Sequence, residues 1–121
     1  MSIQRTPEEQ YRFLVGRAAE VMAERIRNEV PPSGHFNPPS VSFPIPETGN
    51  YGCLYIEPSL TGTPEQRRLV VAARRAGFDR LISNYLVHDT NENILKYLGR
   101  ENIVDELIPY FKRLSERMDE E

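Results

Sequence analysis

Five arginines crowd into residues 64–80: Arg67, Arg68, Arg74, Arg75 and Arg80, with only Glu65 and Asp79 to oppose them. A guanidinium is a permanent charge carrying a planar fork of donors, suited to phosphate and carboxylate groups. The chemistry on offer is therefore anion recognition. Residues 81–121 carry the opposite bias, with nine acidic side chains to five basic. So segregated a charge fits three kinds of partner: a nucleic-acid backbone, an acidic protein, or the acidic half of another copy of this chain. A solvated face with local ion pairs would look the same.

A second candidate anion site is the loop that precedes this segment. Thr61, Gly62 and Thr63 place hydroxyls and amides where a helix is expected to begin, and helix N-termini attract anions. The same residues also serve as an ordinary cap. Covalent or metal chemistry has thinner support. His35, His88, Cys53 and Glu57 are the only reactive types worth gathering, and no CxxC or HxxxH spacing pairs ligands for zinc. GxGxxG, GxxxxGK[ST] and GxSxG are absent from the sequence. The reading leans away from an enzyme and assigns no catalytic residue, no metal and no cofactor.

The bulk properties set the frame. A chain of 121 residues fits one domain, and Leu, Ile, Val and Phe make up about a quarter of it, above the range of intrinsic disorder. The net charge of −3 does not by itself imply a polyelectrolyte partner. No apolar run approaches the roughly 20 residues of a membrane span. The polar start MSIQRTPEEQ is not expected to act as a signal peptide. Cys53 is the one cysteine, which rules out an internal disulfide and suits a cytoplasmic, reducing setting.

Local signals place these residues on elements. Thr6, Pro7 and Glu9 form a capping box with proline at the first helical position, and Tyr11, Leu14, Val15, Ala18, Met22 and Ile26 continue at helical spacing. Phe13 falls on the polar side of that helix and is a candidate contact. Six of the ten prolines lie in residues 30–46, which reads as an extended arm. Within it, Val41, Phe43 and Ile45 alternate with polar residues as an edge strand, with Pro44 against a central place. YGCLYIE, starting at Tyr51, reads as a more central strand, and residues 47–50 have the chemistry of the turn between the two.

Thr63-Pro-Glu-Gln66 repeats the capping device and predicts a second helix stopped by Gly77. On that helix Arg67, Arg68, Arg74 and Arg75 share one side, with Val71 among them. Residues 80–88 fit helix and strand about equally. A strand there would complete a βαβ unit, and a helix would complete a different motif. Asp89 with Glu92, and the stripe Ile103, Leu107, Tyr110, Leu114 and Met118, mark the C-terminal helices, with Pro109 expected to kink the last or begin it afresh.

In the helical version, residues 69–88 resemble the helix-turn-helix motif of DNA-binding proteins: Ala73, then Gly77 four residues on, apolar Phe78 at the turn, and Leu86 nine after the glycine. Ser83 departs from the pattern, where an apolar residue should pack the second helix. The resemblance implies that Asp79, Arg80, Ser83 and Asn84 lie on or near a recognition helix, with Arg67, Arg68, Arg74 and Arg75 as phosphate contacts.

The expected fold is α+β: an N-terminal helix in residues 1–30, a proline-rich arm in 31–46, and in 47–121 a β-hairpin or small mixed sheet with three to four helices packed on it. The expected function is a small non-enzymatic binding or regulatory protein that acts on another protein or on its own copies. The contact residues would be Arg67, Arg68, Val71, Arg74, Arg75, Arg80 and Phe13. The first alternative is a DNA-binding regulator built on residues 69–88. The second is a small ligand binder or enzyme at Thr61, Gly62 and Thr63.

Overall fold

The computed structural model describes residues 5–77 and 80–120. Phe78 and Asp79, invoked above for the turn and recognition helix, lie outside them, as do the first four residues of the N-terminal stretch. The fold is α+β, with three helices and one four-stranded antiparallel sheet among the described residues. Helix α1 spans Pro7–Glu29. Strands β1 (Ser40–Pro44), β2 (Asn50–Pro58), β3 (Gln66–Arg75) and β4 (Leu81–Thr90) follow and pair in chain order as a meander. Helices α2 (Asn91–Leu98) and α3 (Ile103–Asp119) close the chain. Two helices follow the sheet, not three to four, because the segment expected to be helical after Thr63 is β3. The sheet has no parallel pair and no βαβ unit among the described residues.

Helix α1 forms for the reasons its sequence advertises. Glu9 N–H donates to Thr6 Oγ1 at 3.1 Å while Thr6 N–H donates to Glu9 Oε1 at 3.2 Å, so two end amides are satisfied reciprocally. Tyr11, Val15, Ala18, Met22 and Ile26 are buried along one stripe. The β1–β2 hairpin closes over residues 45–49, where the Thr48 hydroxyl donates to Ile45 O. Pro44 sits on the edge strand, as its missing N–H requires.

The Thr63 device has another outcome. Thr63 N–H donates to Gln66 Oε1 at 3.0 Å, and Gln66 N–H to Thr63 O at 3.1 Å, so one turn closes and the chain leaves it extended. A capping box satisfies the amides of a first turn; it does not oblige a second. β3 then pairs along its length with both β2 and β4, and ladders on two sides outweigh the modest helix propensity of Ala, Arg and Leu. Residues 80–88 resolve in the same way, with Leu81–Thr90 as an edge strand. Residues 69–88 therefore contain strand, turn and strand. The helix-turn-helix reading is corrected: among the described residues, strands β3 and β4 stand where the motif needs its two helices.

The helices pack on one face of the sheet. The core joins Phe43, Leu54, Ile56, Leu69, Val71 and Ala73 from the strands to the apolar stripes of the helices. Phe43 stands edge-on to Phe111 with centroids 5.0 Å apart. Helix α3 runs through Pro109 as one element. Asn50 ties the sheet to its end, donating to Ser115 Oγ at 2.7 Å and to Asp119 Oδ1 at 3.1 Å. No helix is long and apolar enough, among the described residues, to cross a membrane.

Candidate functional site

Strand periodicity re-sorts the arginine segment. On β3 the odd-numbered residues from 67 to 75 face the helices and the even-numbered ones face away. Val71 is wholly buried in the core, so it is no surface contact. Arg75 lies on the helix side and donates to Met118 O at 2.9 Å, placing a cation at the carbonyl end of α3. Arg68 and Arg74 share the outer face. Arg80 lies in the connection before β4. Phe13 is half-exposed on α1 with the Arg5 guanidinium 3.9 Å above its ring, on the layer opposite the outer face. The seven residues expected to act together are thus dispersed over the molecule.

Arg67 is a second correction. It is only 1 % exposed and turns inward as a clasp. Its Nη1 donates to Gly34 O at 2.7 Å and Pro64 O at 3.0 Å, its Nη2 to Pro31 O at 2.6 Å, and its Nε to Asn91 Oδ1 at 3.2 Å. Phe36 lies 4.9 Å from the guanidinium. Neutral oxygens satisfy the charge, and burial lowers its pKa. Arg67 therefore fastens the proline-rich arm to the sheet from a buried position.

The Thr61–Thr63 loop loses the helix on which its anion reading depended. Gly62 occupies φ 94°, and the Thr63 amide is already taken by Gln66. A cleft of about 220 Å3 beside it is lined by His35, Gly62, Thr63 and Arg67. The structure adds a pair that spacing did not reveal: Ser59 Oγ lies 2.7 Å from His88 Nε2. The Ser59 hydroxyl donates to the Thr61 carbonyl. His88 and the Thr61 backbone thus converge on one hydroxyl in an exposed loop. This pair braces the loop.

The outer face of the sheet is the surface that the helices leave uncovered. The register lays it out in rows across the strands. One row reads Pro44, Tyr51, Arg74, Leu81. The next reads Ser42, Cys53, Ala72, Ser83. A third reads Ser40, Tyr55, Val70, Tyr85, and a fourth Glu57, Arg68, His88. Small residues therefore form a shallow trough between two aromatic ridges. Tyr85 is 63 % exposed and Tyr51 40 % exposed. Tyr55 is hydrogen-bonded to Ser83 two strands away, and partial burial raises its hydroxyl pKa. Cys53 and Ala72 are buried in the trough and Val70 between the tyrosines of the adjoining ridge, with Cys53 Sγ 3.3 Å from Ser42 Oγ. Arg68 lies 4.9 Å over the Tyr85 ring and donates to its hydroxyl at 3.2 Å.

This surface is hidden from a sequence in which residues 63–76 are read as a helix. Its signal is the two-residue alternation Arg68, Val70, Ala72, Arg74, which repeats in Tyr51, Cys53, Tyr55, Glu57. On the helical layer, a separate cavity of about 560 Å3 lies between Tyr11, Ile45, Glu47 and Glu116. No group of three or more His, Cys, Asp or Glu is arranged for a metal among the described residues. Compared with protein-family models, curated proteins and solved structures, the chain matches none.

Proposed function

We propose that this chain is a small non-enzymatic binding or regulatory protein, working through protein–protein contacts and self-associating, with the outer face of the sheet as its contact surface. The observation that carries the reading is the one-sided fold: three helices cover one face, and the other presents Tyr51, Tyr85 and Leu81 to solvent. Exposed tyrosines around an apolar floor, with arginine at the margin, have the composition of an interface core. A cytoplasmic setting belongs to the proposal and is supported by the single free, buried Cys53.

Tyrosine-selective labelling tests it. Modification of Tyr51 and Tyr85 is compared between dilute pure protein, concentrated pure protein and native extract. Protection in either of the last two is the expected result. Equal labelling in all three would sink the proposal.

A second reading keeps a nucleic acid as partner on new ground. Tyr51, Tyr55 and Tyr85 with Arg68 and Arg74 on an antiparallel sheet suit unstacked bases and their phosphates. It calls for single strands, since residues 81–90 form a strand where the duplex-reading motif needs a helix. Fluorescence anisotropy with single-stranded and duplex oligonucleotides at about 50 and about 200 mM salt separates the cases. Salt-sensitive, single-strand-selective binding supports this reading, and silence at low salt ends it.

A further inference from the structure

We infer that the partner seated on the outer sheet face is a second copy of this chain, packed face to face about a twofold axis that runs parallel to the strands between β2 and β3. The inference rests on the contact reading above and deepens it.

The register itself is self-complementary about that line. In a meander ordered β1-β2-β3-β4, the midline lies between β2 and β3. A twofold axis along it keeps every row at its own height and exchanges β2 with β3, and β1 with β4. Glu57 then faces Arg68 of the second copy, and Arg68 faces Glu57, giving two opposite-charge pairs. Tyr55 faces Val70, and Tyr51 faces Arg74, an aromatic ring against a guanidinium. Pro44 faces Leu81, apolar on apolar, through the chain of pairings from β1 to β4. The small central row leaves room for the rings on either side. No row sets like charges together.

Size and geometry agree with this closure. Sheets of this kind stack about 10 Å apart with strands within about 30° of alignment. Four strands of up to ten residues make a face of roughly 20 by 30 Å. Closing two such faces removes on the order of 1,000 Å2 counted over both copies, where specific interfaces begin. The other strand-edge route is less suited. β1 is short, follows Pro38 and Pro39 and ends in Pro44, and an edge contact would leave Tyr51 and Tyr55 unused.

The test is complementation between two charge reversals. Glu57→Arg sets an introduced arginine against the native Arg68 at both contacts. Arg68→Glu sets an introduced glutamate against the native Glu57. Each variant alone should dimerise roughly a hundredfold more weakly or worse. Mixed one to one, they restore opposite charges at both contacts, each now between like-modified or native partners of opposite sign. The expected results by sedimentation and native mass spectrometry are wild type at twice 14.0 kDa, each variant alone at 14.0 kDa, and a one-to-one heterodimer on mixing. Circular dichroism checks folding. If a reversal does not fold, Ser83→Arg on the exposed edge strand should make the chain monomeric in its place.

A wild type that stays monomeric at high concentration overturns the inference. So do variants that still dimerise alone, or variants that fail to reassociate when mixed. Monomeric wild type with Tyr51 and Tyr85 protected only in extract, or only by added single-stranded nucleic acid, gives the face to another partner. The extract result leaves the contact reading standing. Monomeric wild type with unprotected tyrosines removes both.

Discussion

Arg67 shows how little a residue's type says before its neighbours are known. The same guanidinium chemistry that binds phosphate here holds three backbone carbonyls and an asparagine oxygen around a buried charge. Removing it takes the donor from all four oxygens at once. Arg67→Ala should cost at least about 3 kcal/mol in urea unfolding, and hydrogen exchange should accelerate in residues 31–37. Arg67→Lys keeps the charge and loses the fork, so it should recover only part of the loss. A full rescue by lysine would mean that charge alone matters. Gly52 makes the same point through space. An added Cβ would sit 2.5 Å from Phe43 Cζ, and that ring is held by Tyr11 and Phe111. Gly52→Ala should cost about 1–3 kcal/mol. In a Phe43→Leu background much of that cost should vanish. Strict additivity of the two changes would refute the contact as the cause.

Two near-identical signals at the element scale have different fates. Thr6-Pro-Glu-Glu9 opens a 23-residue helix, whereas Thr63-Pro-Glu-Gln66 closes one turn and releases a strand. Thr6→Ala should lower stability by about 1 kcal/mol, as loss of a helix cap does. Gln66→Ala should change it by no more than about 0.5 kcal/mol, because it releases an exposed turn. Equal costs would mean that the two devices do the same work. The contrast explains what was legible. Helix α1, the β1–β2 hairpin and the C-terminal stripes are written in short-range periodicity and turn chemistry, and the sequence displays them. β3 is central, apolar on both faces in its middle and rich in residues that also favour helices, so its identity depends on partners distant in the chain. The candidate surface went with it. Once residues 66–75 alternate in twos, Arg68 and Arg74 join Tyr51, Tyr55 and Tyr85, and Val71 leaves for the core.

At the scale of the whole molecule, stability is tied to titrating groups that fasten its layers. Tyr11 is 4 % exposed, and its hydroxyl bridges α1 to α3 by donating to Ile108 O at 3.2 Å. Burial, and then the nearby Glu8 carboxylate, raise its pKa well above the ordinary tyrosine value of about 10. Tyr97 on α2 is raised by burial and then by Glu106. In both cases the folded chain keeps a proton that the unfolded chain releases. The contribution of each is therefore complete below a pH of about 10 and is lost as pH rises toward the folded value. Asp89 acts at the other limb: Asn93, then the Thr90 amide, lower its pKa, so its contribution is present above a pH of about 4 and falls away in acid. Urea unfolding from neutrality to pH 11 should show stability declining steeply above about pH 10. Tyr11→Phe should cost about 1 kcal/mol at neutral pH, for the lost bond and the bare carbonyl, and should flatten the alkaline decline. An unchanged alkaline slope in that variant would mean that the helix-to-helix bridge does not carry the proton linkage, and that ionisation elsewhere opens the fold.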